Sequence, residues 1–335
     1  MQSAIYGLAG EILAPDERDF FRDADPAGYI LFKRNCADRT QLRALTDALR
    51  ALHGRDDLAI LIDQEGGRVA RMQPPEWPEF PRAERFDDLY KIAPISAIEA
   101  VRANAQAIAV VLREVGVTVD CLPLLDVRQP GANDIIGDRA LGCDPMQVAA
   151  LGRAVIEGLR DGGVVGVVKH IPGHGRSLSD SHLELPIVPA SVEELETDLE
   201  PFHSLRHAPM GMTAHVVYTA WDPERPASLS PLVIEEIIRG RIGFDGFLMS
   251  DDLGMHALSG SFAERARGVT AAGCDVALHC SGVMDEMVDV ASAVDALGEK
   301  SLQRLAAAMA SVQAGPPQLA YQDLAAKRDA LLSYA

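Results

Sequence analysis

The 335-residue sequence is short of cysteine and of positive charge, and each shortage excludes a class of protein. Its five cysteines are an odd number without a CxxC pair, and most lie in apolar runs. They are therefore predicted to be reduced core residues of a cytoplasmic protein. Lysine and arginine total 31 against 49 acidic residues, which gives a net charge of −18. This charge argues against nucleic acid or an anionic membrane as a partner, because the neutralisation of phosphates needs a basic face.

Long hydrophobic runs are also missing. No stretch of 18 or more apolar residues occurs, so the sequence predicts no membrane span. The N-terminal segment has no basic region ahead of an apolar one, so no signal peptide is predicted there. The 48% of hydrophobic residues is enough for one large core. Length alone would permit two domains, but a (β/α)8 barrel uses this much chain as one.

Short apolar runs alternate with helical patterns along the chain. Each run is almost continuously apolar, as parallel strands buried on both faces are. Eight such runs predict an α/β fold, a (β/α)8 TIM barrel, with an open doubly wound sheet as the competing architecture. The eight runs are 4–8, 28–32, 58–63, 117–122, 164–169, 210–215, 246–250 and 275–279.

Helices are predicted between most of these strands. Apolar spacing and start or stop signals indicate helices over 40–53, 94–115, 145–161 and 261–272. Ser191 with Glu194 forms a capping-box pattern, and Ser230 followed by proline indicates another helix start. With no repeat and no shift in composition, residues 1–335 are predicted to form a single catalytic domain. A helical tail is predicted from about residue 316, outside the barrel.

Unusual polar residues follow the predicted strands at the point where each one ends. In a TIM barrel the active site is assembled at this face from several strands at once. The coincidence therefore predicts an enzyme with its site at the carboxyl ends of the strands. The residues concerned are Asp63, Asp126, Lys169, His170, His215, Asp251 and Asp252.

Several motifs resemble glycoside hydrolase family 3, in the order found in that family. They are DQEGGRVAR, GDRALG, KHIPGHG followed by DSHLELP, TAHVVY, SDDLGM and AGCD. The likeness is greatest to the single-domain bacterial beta-N-acetylglucosaminidases of peptidoglycan recycling, and it runs from about residue 7 to about residue 275. It implies a retaining, exo-acting enzyme that removes terminal N-acetylglucosamine from a muropeptide or another amino-sugar glycoside.

The resemblance also implies roles for individual residues. Asp251 matches the catalytic nucleophile, His182 the general acid/base, and Asp180 its orienting partner. The groups that match the N-acetylglucosamine-binding residues are Asp63, Arg71, Arg139, Lys169 and His170. Arg176 is a departure, because aspartate is usual after GHG, and Ile171 stands where phenylalanine is common. Arg176 is expected at the tip of its loop, within reach of the substrate beyond the reacting sugar.

The chemistry of the segment KHIPGHGRSLSDSH is consistent with these roles. A histidine, with an ordinary pKa near 6.5, exchanges protons near neutral pH without the strongly raised pKa that a carboxylic acid would need. An aspartate two residues earlier in extended chain points to the same side and can fix the tautomer of the ring. Because glycines and serines dominate the segment, residues 174–182 are predicted to form a gate that closes over bound sugar.

Three rival functions remain open from the sequence. The first rival is a metal-dependent hydrolase in which His170, His174 and His182 bind a divalent metal with nearby carboxylates, although no HxH or HExxH spacing supports this. A phosphorylase is the second rival, because a neutral histidine repels phosphate less than a carboxylate does, and Arg176 would favour it. A sugar-binding barrel without catalysis is the third. The preferred prediction is a monomeric hydrolase without a cofactor or a bound metal.

Overall fold

Eight parallel strands close into a barrel, as the apolar runs predict. The computed structural model describes residues 1–312 and 320–334. The first strand pairs with both the second and the last, and all neighbouring pairs are parallel. The TIM-barrel prediction is thereby confirmed, and the open sheet is excluded. The strands are β1 Gln2–Gly7, β2 Pro26–Leu31, β3 Ala59–Ile62, β4 Val119–Asp120, β5 Val165–Ile171, β6 Met210–Thr213, β7 Phe247–Asp252 and β8 Val276–His279.

The strands are apolar throughout because both of their faces are buried. Along β3, Ala59 and Leu61 join the cluster that fills the barrel, whereas Ile60 and Ile62 join the cluster between barrel and helices. Side chains of a strand alternate between its faces, so a strand covered on both sides needs hydrophobic residues at every position.

Helices surround the barrel, and those predicted over 40–53, 94–115, 145–161 and 261–272 are confirmed. So is the capping box, in which the Ser191 hydroxyl accepts from the Glu194 N–H at 3.3 Å. Ser230 likewise accepts from the Val233 N–H at the start of a wide-turned helix, Val233–Arg241. The others are α1 Pro15–Ala24, α2 Arg39–His53, α3 Glu84–Ile92, α4 Pro94–Glu114, α5 Pro145–Asp161, α6 Val192–Ser204, α7 Phe262–Ala272, α8 Met284–Ala291, α9 Glu299–Ala310 and α10 Tyr321–Leu332.

Helix α4 is long and apolar enough to cross a membrane by length and composition alone. Its apolar residues are instead largely buried, and it packs against α3, α5 and α10. It is therefore a core helix of the outer layer, whose high hydropathy reflects neighbours on several sides. Helix α10 lies near the C-terminal end of the chain, and the start of the helical tail predicted near residue 316 lies outside the described residues.

Two small strand pairs extend the barrel at its carboxyl face. Gln64–Gly66 folds back antiparallel on Val69–Ala70, and Ile187–Val188 pairs with Val217–Tyr218. The first turn needs glycine, because Gly66 and Gly67 both have positive φ, and a Cβ at Gly66 would lie 2.4 Å from the Pro81 carbonyl oxygen.

Candidate active site

The predicted site residues converge on one cavity of about 380 Å³ at the carboxyl ends of the strands. Its wall includes every predicted sugar-binding residue together with His182 and Asp251, and Asp180 contacts it through His182. A second cavity, about 500 Å³, is lined by a different set of residues and contains none of the polar strand-end groups. The first cavity is therefore the candidate active site. The residues that line it include Asp63, Glu65, Arg71, Arg139, Lys169, His170, His174, His182, Asp251 and Asp252.

Five charged side chains form a chain of alternating sign along one wall of the cavity. Arg71 donates to Asp63 at 2.9 Å, and Lys169 donates to the other oxygen of the same carboxylate at 3.0 Å. The Lys169 ammonium also lies 2.6 Å from Glu65, which receives two hydrogen bonds of 2.8 Å from Arg139. Paired in this way, buried charges that would otherwise be costly are held at fixed positions facing the cavity.

Ionisation of these groups follows from the same contacts. Burial by itself would raise the pKa of Glu65, but Arg139 and Lys169 outweigh it and lower the pKa to about 2. Burial would also raise the pKa of Asp63, but Lys169 and Arg71 lower it below its ordinary value. Burial would lower the pKa of Lys169, yet the two carboxylates raise it above its ordinary value. All three groups are therefore charged at neutral pH.

Glu65 was not among the residues predicted from the sequence. Its side chain is 4% exposed, and it links Lys169 to Arg139, two residues that the sequence had assigned to the sugar. The available signal was its place in DQEGGRVAR, two residues after Asp63 at the end of β3. Glu65 therefore positions two of the predicted sugar-binding residues, because it holds Lys169 from β5 and Arg139 from the segment that follows β4.

We expect Glu65→Gln to lower kcat/KM by about 10- to 100-fold, chiefly through KM, because the loss of one partner of a buried ion pair costs a few kcal/mol. A neutral amide cannot receive Arg139 in two hydrogen bonds and also neutralise Lys169. Steady-state kinetics with an aryl amino-sugar glycoside measure the change.

Glu99→Gln is the matched control for that change. Glu99 also contacts one lysine and one arginine, Lys327 at 2.8 Å and Arg102 at 3.5 Å, but it lies on the surface. Kinetics of Glu99→Gln should equal those of the wild type. An unchanged KM in the folded Glu65→Gln protein would contradict the role given to Glu65.

His170 is held by Asp126, a residue noted at a strand end but not assigned to the site. Asp126 accepts from Nδ1 of His170 at 2.8 Å and from the backbone N–H of His174 at 2.6 Å. Burial would raise the pKa of Asp126, but the contacts with both histidines lower it to about 2. An ionised carboxylate only accepts hydrogen bonds, so Nδ1 of His170 carries the proton. The β5 register shifts between Val168 and Ile171, and the adjacent Lys169 and His170 both reach the cavity.

His182 and Asp180 form a hydrogen-bonded pair at the edge of the cavity. One oxygen of Asp180 accepts from Nδ1 of His182 at 2.8 Å and from the His182 N–H at 2.9 Å. Burial opposes ionisation of Asp180, yet these hydrogen bonds lower its pKa. Since the carboxylate is ionised, Nδ1 is the donor, and Nε2 of His182 is the nitrogen that can give or take a proton.

Asp251 and Asp252 are adjacent at the end of β7 but have different contacts. The Asp252 carboxylate accepts from the N–H groups of Gly254 and Cys280, each at 3.0 Å, so it holds the backbone. Within the described residues, the Asp251 carboxylate accepts a hydrogen bond only from the Asp252 N–H, at 2.8 Å. Burial would raise the pKa of Asp251, but nearby His170 and the hydrogen bond from the Asp252 N–H lower it. Asp251 is therefore an ionised carboxylate available to a ligand.

His215 has a structural role. Its Nδ1 lies 2.6 Å from the Ser228 hydroxyl, and its Nε2 lies 3.0 Å from the Asp252 carbonyl oxygen. Burial lowers the pKa of His215, so it is a neutral ring that donates one proton. Both nitrogens are occupied, and the ring fixes the backbone next to Asp251.

The expectation for Arg176 is wrong. Its guanidinium turns away from the cavity to α6, where it donates to Asp198 at 2.5 Å and to the Glu194 carbonyl oxygen at 2.8 Å. The segment predicted to act as a gate is also anchored at several points, since Ser177 and Ser181 are buried while the Leu178 side chain is mostly exposed. The gate stays a prediction, and within 174–182 the exposed part is shorter than the sequence suggested.

A closed parallel barrel with ionised carboxylates, cations and a histidine–carboxylate pair at its carboxyl face defines the class: a TIM-barrel hydrolase with a polar, sugar-sized site. In the described residues, no three His, Cys, Asp or Glu side chains converge as ligands for a metal ion. The chain belongs to glycosyl hydrolase family 3, because residues 12–314 match the family's "Glycosyl hydrolase family 3 N terminal domain". It is thus a glycoside hydrolase.

Known relatives agree with this membership. The chain is 41% identical over 280 residues to a protein named beta-hexosaminidase from Alkalilimnicola ehrlichii, covering 82% of this chain and 79% of that one. Its fold is similar to native NagZ from Neisseria gonorrhoeae, with a TM-score of 0.85, 30% identity and coverage of 99% and 96%. The same neighbour has a structure in complex with N-trifluoroacetyl-D-glucosamine, with equal TM-score, identity and coverage.

Proposed function

We propose that the protein is a retaining, exo-acting beta-N-acetylglucosaminidase. The observation that carries the proposal is the pairing of two chemistries in one cavity: the ionised Asp251 on a strand end, and the Asp180-oriented imidazole of His182. A retaining glycosidase needs a nucleophile and an acid/base at one sugar, and these groups supply both. The relatives named beta-hexosaminidase support the assignment to amino sugars.

The reaction has two steps in this proposal. In the first, an Asp251 oxygen bonds to the anomeric carbon, the glycosidic C–O bond breaks, and His182 gives its Nε2 proton to the leaving oxygen. In the second, His182 takes a proton from water, the water oxygen bonds to the anomeric carbon, and the Asp251 carboxylate leaves. Asp180 stabilises the imidazolium form that acts as the acid and keeps the ring oriented.

The alternating charges along the cavity wall are suited to sugar hydroxyls. Asp63 accepts hydrogen bonds, whereas Arg71, Arg139 and Lys169 donate them, and each is already held by a neighbour of opposite charge. Because a polar group left unpaired in such a site is costly, substrates that lack a matching hydroxyl or amide are rejected. His170 is the fifth sugar-binding group of the proposal.

The biological substrate that we propose is a muropeptide fragment, N-acetylglucosamine linked to 1,6-anhydro-N-acetylmuramic acid, with or without peptide. Support comes from the family resemblance of the motifs and from the neighbour solved with an N-acylated glucosamine analogue. The place of action is the cytoplasm, in peptidoglycan recycling, and the enzyme acts as a monomer without a cofactor. Free cysteines are in keeping with a reducing compartment.

We expect an aryl beta-N-acetylglucosaminide to be turned over at least about 10²-fold faster, by kcat/KM, than the matching beta-glucoside. The difference is expected because the proposed site makes polar contacts with the acetamido group, and a glucoside has no such group. Release of the phenol measures both rates. Equal rates, or faster cleavage of the glucoside, would rule out the proposed sugar specificity.

The contacts of Arg176 argue against phosphorolysis, the second rival function. Arg176, which would have favoured phosphate, is engaged by Asp198 and Glu194 on α6 and does not line the cavity. Free sugar should therefore be the product in both phosphate and non-phosphate buffers. Detection of N-acetylglucosamine-1-phosphate would replace the hydrolase with a phosphorylase.

A further inference from the structure

The loop that carries His182 and Asp180 is closed at its base by Arg176. This dyad loop, residues 172–190, joins the end of β5 to the start of α6. Arg176 lies near its beginning, and both of its partners, Glu194 and Asp198, lie in the first two turns of the helix that follows. The Arg176 guanidinium thus connects the beginning of the dyad loop to α6, the helix that follows the loop.

The backbone before Arg176 is also packed tightly on α6. A Cβ at Gly173 would lie 3.0 Å from the Cβ of Asp198, and the Gly173 carbonyl oxygen accepts from the buried Tyr218 hydroxyl at 2.7 Å. After Arg176, the Ser177 carbonyl oxygen accepts from the Asn133 N–H at 2.8 Å. The position of Arg176 is therefore set on both sides, and its bonds to α6 act on a segment that leads directly to Asp180.

Asp198 has little freedom to choose another partner. Its side chain is 1% exposed, and within the described residues its second oxygen, Oδ1, is buried without a hydrogen bond. Arg176 is the cation that compensates this charge in the described part of the chain. A buried carboxylate compensated by a single guanidinium keeps that guanidinium in place, because separation would leave the charge unpaired.

We propose that Arg176 and Asp198 are a positioning pair that holds the dyad loop so that His182 is placed for proton transfer. The proposal rests on the proposed function of His182 as acid/base. Neither residue lines the candidate active-site cavity. Their effect passes through the loop, since a shift of about 1 Å in a catalytic group is enough to lower the rate by about 100-fold.

The test uses Arg176→Leu, Asp198→Asn and the double variant in the full chain. Each is assayed with an aryl beta-N-acetylglucosaminide that has an acidic phenol and with an alkyl one, whose leaving oxygen must be protonated. We expect the loss of kcat/KM in each single variant to be at least about 10-fold greater on the alkyl substrate than on the aryl one. The double variant should lose no more than either single variant, because the two residues act as one unit. Without an uncompensated buried charge, it also provides a variant that keeps the fold.

Two controls separate positioning from general damage. Arg241→Leu removes an ion pair with Glu196 on the exposed side of α6 and should leave both substrates unaffected. Arg176→Lys, which retains the charge but not the two-point contact, should recover part of the alkyl rate. Equal losses on both substrates, or full activity in the folded double variant, would overturn the positioning role. Hydrolysis of both substrates by the wild-type protein tests the proposed function separately. If the wild type hydrolysed neither substrate, the proposed function itself would be refuted.

Discussion

Asp251→Asn is expected to lower kcat/KM for every substrate by at least about 10⁴-fold, the scale of loss when a catalytic nucleophile is removed. The asparagine amide is nearly isosteric but cannot form the acylal-type bond to the anomeric carbon. Because His170 and the Asp252 N–H lower the pKa of Asp251, the wild-type carboxylate is ionised throughout the neutral range. Turnover of an activated aryl glycoside, followed for hours, measures the residual rate.

Asp252→Asn is the matched control, one residue along the chain. The Asp252 carboxylate binds two backbone N–H groups, and an asparagine carbonyl can still accept these hydrogen bonds. Turnover should fall by less than about 10-fold, since no reacting bond is affected. A fluorinated N-acetylglucosamine analogue should label Asp251 in the native enzyme. Labelling of Asp252 would reverse the assignment, and inactivation without any labelled carboxylate would refute the covalent mechanism.

The barrel was predictable because its strands have a simple physical requirement. Both faces of each strand are covered, so apolar residues run without interruption and stand out from the amphipathic helices. Helices α1, α3, α8 and α9 were not predicted, and α1 shows one reason. Helix α1 has no side-chain cap from the residue before it, and its start depends on Glu17, which folds back to accept from the N–H groups of Ala9 and Ala14. Such a contact is formed only in the folded chain.

The site was predictable to the extent that its residues act on a ligand. Motifs identify those residues by type and order, and the structure brings them to one cavity. Glu65 and Asp126 were not assigned because their task is to hold other side chains, which a motif does not reveal. Arg176 was misjudged because its direction depends on Asp198, 22 residues further along the chain. Local sequence contains no record of that pairing.

His182→Ala is expected to lower kcat/KM by about 10²–10⁴-fold on alkyl glycosides, and by far less on an aryl glycoside with an acidic phenol. A poor leaving oxygen must receive a proton as the C–O bond breaks, whereas an acidic phenolate departs without one. The imidazole is suited to this task because Asp180 holds its Nδ1, so that Nε2 exchanges the proton. The measurement is a plot of log kcat/KM against leaving-group pKa for a series of glycosides. Its slope should be steeper for the variant than for the wild type.

Asp180→Ala should show the same dependence on the leaving group with a smaller loss, because the ring remains and only its orientation and charge stabilisation are removed. His203→Ala, which removes an exposed histidine of α6, is the matched control and should leave the plot unchanged. If His182→Ala lowered the rates of good and poor leaving groups equally, His182 would be a binding or structural residue. If Asp180→Ala were the more damaging variant on alkyl substrates, proton donation would have to be reassigned to the carboxyl group, with His182 as its support.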